Sequence, residues 1–274
     1  SERVYYDRGH DSEFDRRLMG GVNSIRERVR SGAHPPGEFG ALAHHLHDLR
    51  LFKAAAEGKL MRKAASISAG AHVRAMQAVK PGMMEYQLEA EYIHEFMRHG
   101  SRSPAYPSIV GGGANSCILH YIENTGKLKA GDLVLVDAGC ELEHYASDIT
   151  RTFPVSGTFS KPQQALYELV LASQYAAIEA THPDNHWNVP HEQVVNILTQ
   201  GLIDLGLLKG EFNELVETEG YRQFFMHRTG HWLGLDVHDV GDYRIQEQWR
   251  QLEPGMALTV EPGLYVAPDD TTVD

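Results

Sequence analysis

The sequence predicts an α+β fold, because helical and strand-like segments are mixed without a regular strand–helix–strand alternation. A strand-rich block near residues 108–155 separates two helix-rich stretches, and strand-like runs return in the last third of the chain. The chain has 274 residues, of which 42% are hydrophobic, so it can bury a substantial core in one large domain or two.

The helices are predicted from the spacing of apolar residues and from residues that begin or end helices. Apolar residues recur at spacings of three and four over 14–30, and the Gly- and Pro-containing stretch SGAHPPGEFG (31–40) then marks a linker. Ser160 and Gln163 form a Ser-x-x-Gln capping box, which opens a later helix. In chain order, the helices are predicted at 14–30, 51–79, 84–99, 160–181 and 190–206.

The strands are predicted from short runs of β-branched and other apolar residues bounded by polar or turn-forming residues. The run 132–137 and the run 145–155 are close enough in the chain to form a hairpin. In chain order, the strands are expected at 108–111, 116–122, 132–137 and 145–155, and again near 224–238 and 256–266.

The segment LVLVDAGCELEHYASDITRTF (133–153) places two carboxylates, Asp137 and Asp148, inside strand-like runs. A turn at Leu142 and Glu143 puts the two acids directly opposite each other, with Cβ atoms about 4.5–5.5 Å apart. Two ionised carboxylates at about 4 Å repel by roughly 4 kcal/mol at an effective dielectric of about 20. Protonation of one acid, a neighbouring base or a divalent cation would offset this repulsion. Two hydrated acids on an exposed hairpin are the simpler alternative, but the apolar run before Asp137 favours a buried strand.

Further ligand-type side chains lie in two strand-like segments of the last third. The segment FFMHRTGHWLGLDVHDVG (224–241) carries His227, His231 and His238. Its glycines and β-branched residues do not favour the helix that a metal-binding His pair four residues apart requires. In an extended chain His227 and His231 share a face, whereas His238 joins them only after a turn. The second segment is the apolar run ALTVEPGLYV, which Glu261 interrupts.

Four of these residues form an oxygen-rich ligand set with one imidazole: Asp137, Asp148, His231 and Glu261. Carboxylates suit Mn²⁺, Mg²⁺ or Ca²⁺, and the imidazole also admits Co²⁺, Fe²⁺ or Zn²⁺. Several carboxylates with few neutral ligands indicate two metal ions that share bridging ligands, an arrangement that activates water. His120, in CILHYIEN, is a further candidate.

Four segments together resemble the pita-bread metallopeptidases, and within that family the aminopeptidase P (Xaa-Pro aminopeptidase) members. They are ILHYIEN, GDLVLVDAGCELEHYASDITRTFPVSG, FFMHRTGHWLGLDVHDVG and LEPGMALTVEPGLYVAPD, and the resemblance covers about residues 50–268. It implies the pita-bread (creatinase/aminopeptidase-like) form of the α+β class. It also implies that 1–48 are a remnant of an N-terminal domain and its linker, and that 49–274 form the catalytic domain without its C-terminal strands.

The resemblance implies roles for seven side chains. The implied metal ligands are Asp137 for one ion, Asp148 as a bridge between two ions, His231 and Glu261. The implied catalytic residues, which hold substrate and handle protons, are His120, His227, His238 and Glu261. The implied cofactor is a pair of divalent ions, with Mn²⁺ the first choice and Co²⁺ or Zn²⁺ as alternatives.

One ligand of the family is not found in the sequence. The family has a fifth ligand, a bridging Glu in a strand downstream of the VEPG segment, and nothing after Glu261 supplies it. Asp269, Asp270 and Asp274 lie in a different local pattern. We therefore expect residues 1–274 alone to show an open sheet edge and an under-coordinated metal site, and to be poorly soluble or inactive.

The implied activity is release of the N-terminal residue from peptides with proline in the second position. Three alternatives remain. A prolidase would share every ligand but cleave only Xaa-Pro dipeptides. A methionine aminopeptidase matches the chain length but not the context of the motifs. A metal-poor pita-bread scaffold, inactive because the fifth ligand is absent, would act as a binding module.

Composition bears on partners and location. The net charge of −12, from 25 basic and 37 acidic side chains, argues against nucleic acid or an anionic membrane as the main partner. No apolar run approaches the roughly 18–20 residues of a membrane span. Cys117 and Cys140 do not resemble a disulfide framework, which indicates a reducing cytoplasm. A homo-oligomer, either a dimer or a tetramer, is also expected.

Overall fold

The structure, a computed structural model, describes residues 2–268. The chain divides into two compact units, and the boundary falls between Arg50 and Leu51. The sequence placed a boundary after residue 48. That the preceding segment belongs to a larger N-terminal domain stays a prediction.

The first unit contains a pair of short parallel strands and helices. Strand β1 (Arg3–Tyr5) pairs with β2 (Glu38–Gly40). Helix α1 (Ser12–Arg26) begins after Asp11, whose carboxylate accepts hydrogen bonds from two backbone N–H groups of the first turn. Helix α2 (Leu42–Leu51) follows β2. The sequence predicted α1 but neither β2 nor most of α2.

The second unit carries longer helices, and four of them confirm the predicted ones. The capping box of Ser160 and Gln163 is formed at the start of α5. The short α7 was not predicted. Among the described residues, the helices of this unit are α3 (Ala55–Ala78), α4 (Glu85–Arg98), α5 (Lys161–Ala180), α6 (Val189–Asp204) and α7 (Phe212–Glu217). Every helix that the structure describes is too short or too polar to span a lipid bilayer.

The strands of the second unit form two three-stranded antiparallel sheets and a small hairpin. One sheet has the order β4–β5–β8, and the other has the order β3–β6–β7. Strands β9 and β10 pair with each other, and within residues 2–268 no other strand joins them. The bounds are β3 (Ser103–Pro104), β4 (Ile109–Gly112), β5 (Leu133–Asp137), β6 (Cys140–Leu142), β7 (Tyr145–Ala146), β8 (Thr150–Pro154), β9 (Arg244–Ile245) and β10 (Gln248–Trp249).

Strands β5 to β8 confirm the predicted hairpin but correct its register. Glu143 and His144 form the turn, and both have positive φ, at 49° and 72°, as a two-residue hairpin turn requires. The turn lies one residue later than predicted, so every pair moves by two. Asp137 therefore pairs with Thr150, not with Asp148 as predicted. A shift of two residues keeps each side chain on its face, so Asp148 remains a diagonal neighbour of Asp137.

The hydrophobic core beneath the hairpin is formed by α3 and α4. Tyr92 and Phe96 of α4 are fully buried in the same cluster as Val134 and Val136 of β5. A second cluster lies between α5 and α6 and includes Phe224 together with the partly buried side chains of the 260–266 segment. The sheet that carries Asp137 therefore rests on one helical layer.

Two predicted strands near the C-terminal end are not regular strands. The segments around 229–233 and 257–261 run antiparallel with an isolated bridge between Trp232 and Leu258. The N–H of His231 donates to the side-chain oxygen of Thr259 (2.9 Å), although the N–H of Thr259 still donates to the carbonyl of His231 (2.9 Å). The hydroxyl of Thr259 thus accepts the hydrogen bond from His231 that the carbonyl of Thr259 would accept in a regular ladder.

The predicted strand at 116–122 is wrong. Residues Gly113–Cys117 form a 3₁₀ helix, and the irregular chain after it has positive φ at His120 and Asn124. The physical reason is the carboxylate of Glu85 on α4, which is 1% exposed and organises this segment. It accepts four hydrogen bonds from the segment: the N–H groups of Gly112 (2.8 Å) and Gly126 (2.6 Å), the amide of Asn115 (3.0 Å) and the hydroxyl of Tyr121 (2.8 Å).

Replacing Glu85 by Gln should destabilise the protein. The NH₂ group of the new Gln side chain would face some of the four donors that now bind the carboxylate. At least one buried donor would then lose its acceptor, which costs about 1–3 kcal/mol of stability. The midpoint of urea unfolding of the full-length protein should fall. Glu91→Gln on the same helix is the control, because Glu91 pairs with Arg74 at a partly exposed site. Equal midpoints for the two variants would contradict this account of Glu85.

Candidate metal centre

The hairpin brings two acids to one side of the β4–β5–β8 sheet. Asp137 is the last residue of β5, and Asp148 lies in the gap between β7 and β8. The hydroxyl of Tyr106 lies 2.5 Å from Oδ1 of Asp137 and 3.0 Å from Oδ1 of Asp148. One hydroxyl contacts both carboxylates, so the two acids converge although they are not paired directly.

The antiparallel segments 229–233 and 257–261 bring an imidazole and a third carboxylate to the same place. Nε2 of His231 lies 3.2 Å from Oδ2 of Asp148 and 3.2 Å from Oε1 of Glu261. Nδ1 of His231 is 2.9 Å from the carbonyl of Trp232, to which it donates, so Nε2 is directed at the carboxylates. The hydroxyl of Thr259 donates to Oε1 of Glu261 (2.7 Å).

Close approach of these two segments requires a glycine. A Cβ atom added at Gly230 would lie 2.1 Å from the carbonyl oxygen of Thr259. Only a residue without a side chain fits there. In this register Glu261 lies opposite Thr229, with its N–H donating to the carbonyl of Thr229 (2.8 Å), so Glu261 is a diagonal neighbour of His231.

Burial and like charge dominate the electrostatics of this cluster. Burial, followed by repulsion from Asp148, raises the pKa of Asp137 to about 7. Burial lowers the pKa of His231, but hydrogen bonds with Asp148 and Glu261 outweigh it and raise that pKa to about 10. Burial and the two nearby carboxylates raise the pKa of Tyr106 well above its usual value, so its hydroxyl remains a donor.

The donor set of the cluster fits a divalent cation. Donor atoms of Asp148, His231 and Glu261 lie within 4.8 Å of one another, and Asp137 reaches the same place through Tyr106. Three carboxylates concentrate negative charge that a cation would offset, and carboxylate oxygens with one imidazole suit Mn²⁺, Co²⁺ or Zn²⁺. The four predicted ligands are therefore brought together, and their role as ligands stays a prediction.

The three histidines assigned to catalysis lie at different distances from the cluster. The ring of His238 packs edge-on against that of His231, with centroids 4.3 Å apart. Nε2 of His227 lies 3.0 Å from the hydroxyl of Tyr265. His120 is exposed, and within residues 2–268 no hydrogen bond or ion pair joins it to the cluster.

Comparison with known proteins decides the family. The model of metallopeptidase family M24 matches residues 59–273. The chain belongs to this family. Its M24 region contains every residue of the cluster described above.

Two curated relatives of this chain are both named Xaa-Pro aminopeptidase. The chain is 54% identical over 224 residues to a Xaa-Pro aminopeptidase of Haemophilus influenzae, covering 82% of the chain and 52% of that protein. It is 50% identical over 252 residues to the Xaa-Pro aminopeptidase of Escherichia coli, covering 90% of the chain and 57% of that protein. The chain thus spans about half the length of these curated relatives.

Solved structures confirm the predicted α+β class and the pita-bread fold. Aminopeptidase PepP of Pseudomonas aeruginosa matches with a TM-score of 0.97 at 58% identity, covering all of this chain and 62% of that one. Proline aminopeptidase P II of Yersinia pestis matches with a TM-score of 0.93 at 49% identity, covering 98% and 62%.

The sequence-based predictions missed three side chains that contact the predicted site residues. Tyr106 contacts both acids of the hairpin, Thr259 holds Glu261, and Tyr265 contacts His227. Thr259 could have been found, because it lies two positions before Glu261 and so shares its face in an extended chain. Tyr106, between two prolines in SPAYPS, carries no comparable signal. That nothing after Glu261 supplies the fifth ligand stays a prediction, because Asp269, Asp270 and Asp274 lie outside the described residues.

Replacing Asp148 by Asn should weaken Mn²⁺ binding by about tenfold or more, because a neutral amide is a poor bridge between cations. Mutating even a residue that only orients a metal ligand typically lowers metal affinity by about 10–100-fold. Chelator-stripped full-length protein would be titrated with Mn²⁺ by calorimetry, with stoichiometry from elemental analysis. Asp204→Asn, at the exposed end of α6, is the matched control and should bind as the wild type does. Undiminished affinity in the Asp148 variant would remove Asp148 from the ligand set.

Proposed function

We propose that the full-length protein is a metal-dependent aminopeptidase that releases the N-terminal residue from peptides with proline in the second position. The convergence of three carboxylates and an imidazole in an M24 chain carries this proposal. Relatives at 50–54% identity that are named Xaa-Pro aminopeptidases support the proline preference. Location in the cytoplasm and assembly into a dimer or tetramer remain part of the proposal.

The proposed cofactor is a pair of divalent ions, with Mn²⁺ as the first choice. Four residues would hold it: Asp137, Asp148, His231 and Glu261. When bound, such a pair lowers the pKa of water and polarises the carbonyl of the scissile bond. Tyr106 and Thr259 donate hydrogen bonds to the carboxylates, so they orient ligand oxygens that would otherwise repel one another.

We assign proton transfer and contacts with the substrate to side chains of the protein rather than to the metal ions. Glu261, whose carboxylate is oriented by Thr259, is the proposed acceptor of a proton from the attacking water. His238 lies against His231. From there its ring can donate a hydrogen bond to the carbonyl oxygen of the scissile peptide bond, on which negative charge develops during the reaction. His227 is held by Tyr265 and is the second histidine that we assign to stabilising this charge.

Kinetics on two substrate lengths test the proposed specificity. Full-length protein with Mn²⁺ should cleave an Xaa-Pro-Yaa tripeptide with a higher kcat/KM than the matching Xaa-Pro dipeptide. A higher kcat/KM for the dipeptide would identify a prolidase instead. An absence of turnover on both, with little bound metal, would favour the metal-poor binding scaffold. An analogue with alanine in the second position is the control for proline selectivity.

His238→Ala and His227→Ala should lower kcat and leave the metal content intact. Loss of one donor that stabilises the transition state typically costs about 10²–10³ in rate. His231→Ala should instead lose bound metal, because it removes the imidazole ligand. Steady-state kinetics and elemental analysis distinguish the two effects. His182→Ala, at an exposed position, is the control. Metal loss in the His238 or His227 variants would reverse these assignments.

A further inference from the structure

The backbone that carries Asp148 has few strand hydrogen bonds of its own. Asp148 belongs to neither β7 nor β8. Across the hairpin here, the N–H of Ala138 donates to the carbonyl of Ile149 (3.2 Å), and the N–H of Ser147 donates to the carbonyl of Cys140 (3.0 Å). The position opposite Asp148 in this register is a glycine. Asp148 is therefore a candidate metal ligand in a weakly paired part of the hairpin.

That glycine cannot be replaced by a residue that would support Asp148 from across the hairpin. A Cβ atom at Gly139 would lie 1.6 Å from the carbonyl oxygen of Ser147 and 3.0 Å from the N atom of Asp148. The two strands approach each other too closely for a side chain. Support for Asp148 must come from another element, and the element that packs beneath the hairpin is α3.

Ser68 of α3 joins a closed ring of hydrogen bonds with the residue before Asp148. The N–H of Cys140 donates to Oγ of Ser68 (2.9 Å), Ser68 lies 2.8 Å from Oγ of Ser147, and Ser147 donates to the carbonyl of Cys140 (2.7 Å). Because Ser147 uses its proton on Cys140, Ser68 must donate to Ser147. Both hydroxyls are about 1% exposed or less, so water does not compete for these bonds.

His72, one turn further along α3, contacts the residue after Asp148. Nε2 of His72 lies 2.8 Å from the carbonyl oxygen of Ile149, which can only accept, so Nε2 carries the proton. The hydroxyl of Tyr92 on α4 lies 2.8 Å from Nδ1 and donates to it, which fixes this tautomer. His72 is 2% exposed and Tyr92 is fully buried. Residues four apart on a helix share a face, so Ser68 and His72 act on the same stretch of hairpin.

We infer that Ser68 and His72 are positioning residues that hold Asp148 in place for metal binding. Each fixes the backbone on one side of Asp148, so the carboxylate stays 3.2 Å from His231 and 3.0 Å from Tyr106. Ligand atoms must lie about 2.0–2.6 Å from a divalent ion, and small displacements of the supporting backbone weaken such a site. This inference rests on the proposed function in one respect, the assignment of Asp148 as a ligand.

Two substitutions of His72 separate positioning from packing. Gln can place an amide N–H close to the position of Nε2 and should keep the hydrogen bond to Ile149, whereas Leu fills a similar volume without a donor. We expect His72→Leu to weaken Mn²⁺ binding by about 10–100-fold, and His72→Gln to remain within a few-fold of the wild type. Mn²⁺ affinity would be measured by calorimetry on chelator-stripped full-length protein, with apo-protein melting temperatures measured in parallel.

A serine pair provides a second test, should His72→Leu fail to fold. Ser68→Ala removes one oxygen from the ring and should also weaken Mn²⁺ binding. Ser173→Ala is the matched control, because Ser173 is equally buried in a helix but donates only to Val170 of its own helix. The control should bind Mn²⁺ as the wild type does.

The outcomes distinguish this inference from the proposed function. Wild-type affinity in His72→Leu and Ser68→Ala, in a protein that hydrolyses Xaa-Pro-Yaa peptides, would overturn the inference alone. Equal losses in His72→Leu and His72→Gln would assign His72 to packing and would also overturn it. A wild-type protein that binds no divalent ion would refute both proposals. Weaker binding in Leu and Ala variants, with recovery in Gln, supports the inference.

Discussion

The mutual repulsion of Asp137, Asp148 and Glu261 is the constraint around which this region is built. Three carboxylates share a partly buried space with one imidazole, and water there is too limited to screen them fully. Left to itself, such a group would separate or take up protons. The raised pKa values of Asp137 and His231 are the direct expression of that tendency. The surrounding structure must therefore hold the acids together against their mutual repulsion, which a bound cation would offset.

Hydrogen bonds from neutral donors and close backbone contacts hold the acids together. Tyr106 donates to the hairpin acids and Thr259 to Glu261, while glycines at 139 and 230 let paired backbones approach closely. At both glycines a regular strand ladder is interrupted, and a side chain takes over part of its role: the Thr259 hydroxyl in one place, the α3 hydrogen bonds in the other. The site is thus formed where sheet hydrogen bonding is incomplete, because there the backbone can direct a ligand side chain inward.

The sequence predicted elements best where apolar periodicity and boundary residues agreed, as for the helices α3 to α6 and the strand β5. It failed where a single side chain overrode local preference. The apolar residues around Tyr121 suggest a strand, but the buried carboxylate of Glu85 draws that segment into an irregular path. No local pattern reveals a buried acceptor thirty residues away. The ligand set could be predicted because carboxylates inside apolar runs are rare, whereas the peptide substrate came only from family resemblance.

The error in the hairpin register left the predicted site intact, and the reason is geometric. A turn displaced by one residue shifts the pairing by two, which preserves the face of every side chain. It changes only the spacing, because Asp137 and Asp148 become diagonal rather than direct neighbours. Direct neighbours would place their Cβ atoms about 4.5–5.5 Å apart, whereas diagonal ones are roughly 7–8 Å apart. The wider spacing leaves room for the Tyr106 hydroxyl to contact both carboxylates, and for a cation that two carboxylates could bind from opposite sides. The observed register therefore suits a shared metal site better than the predicted one.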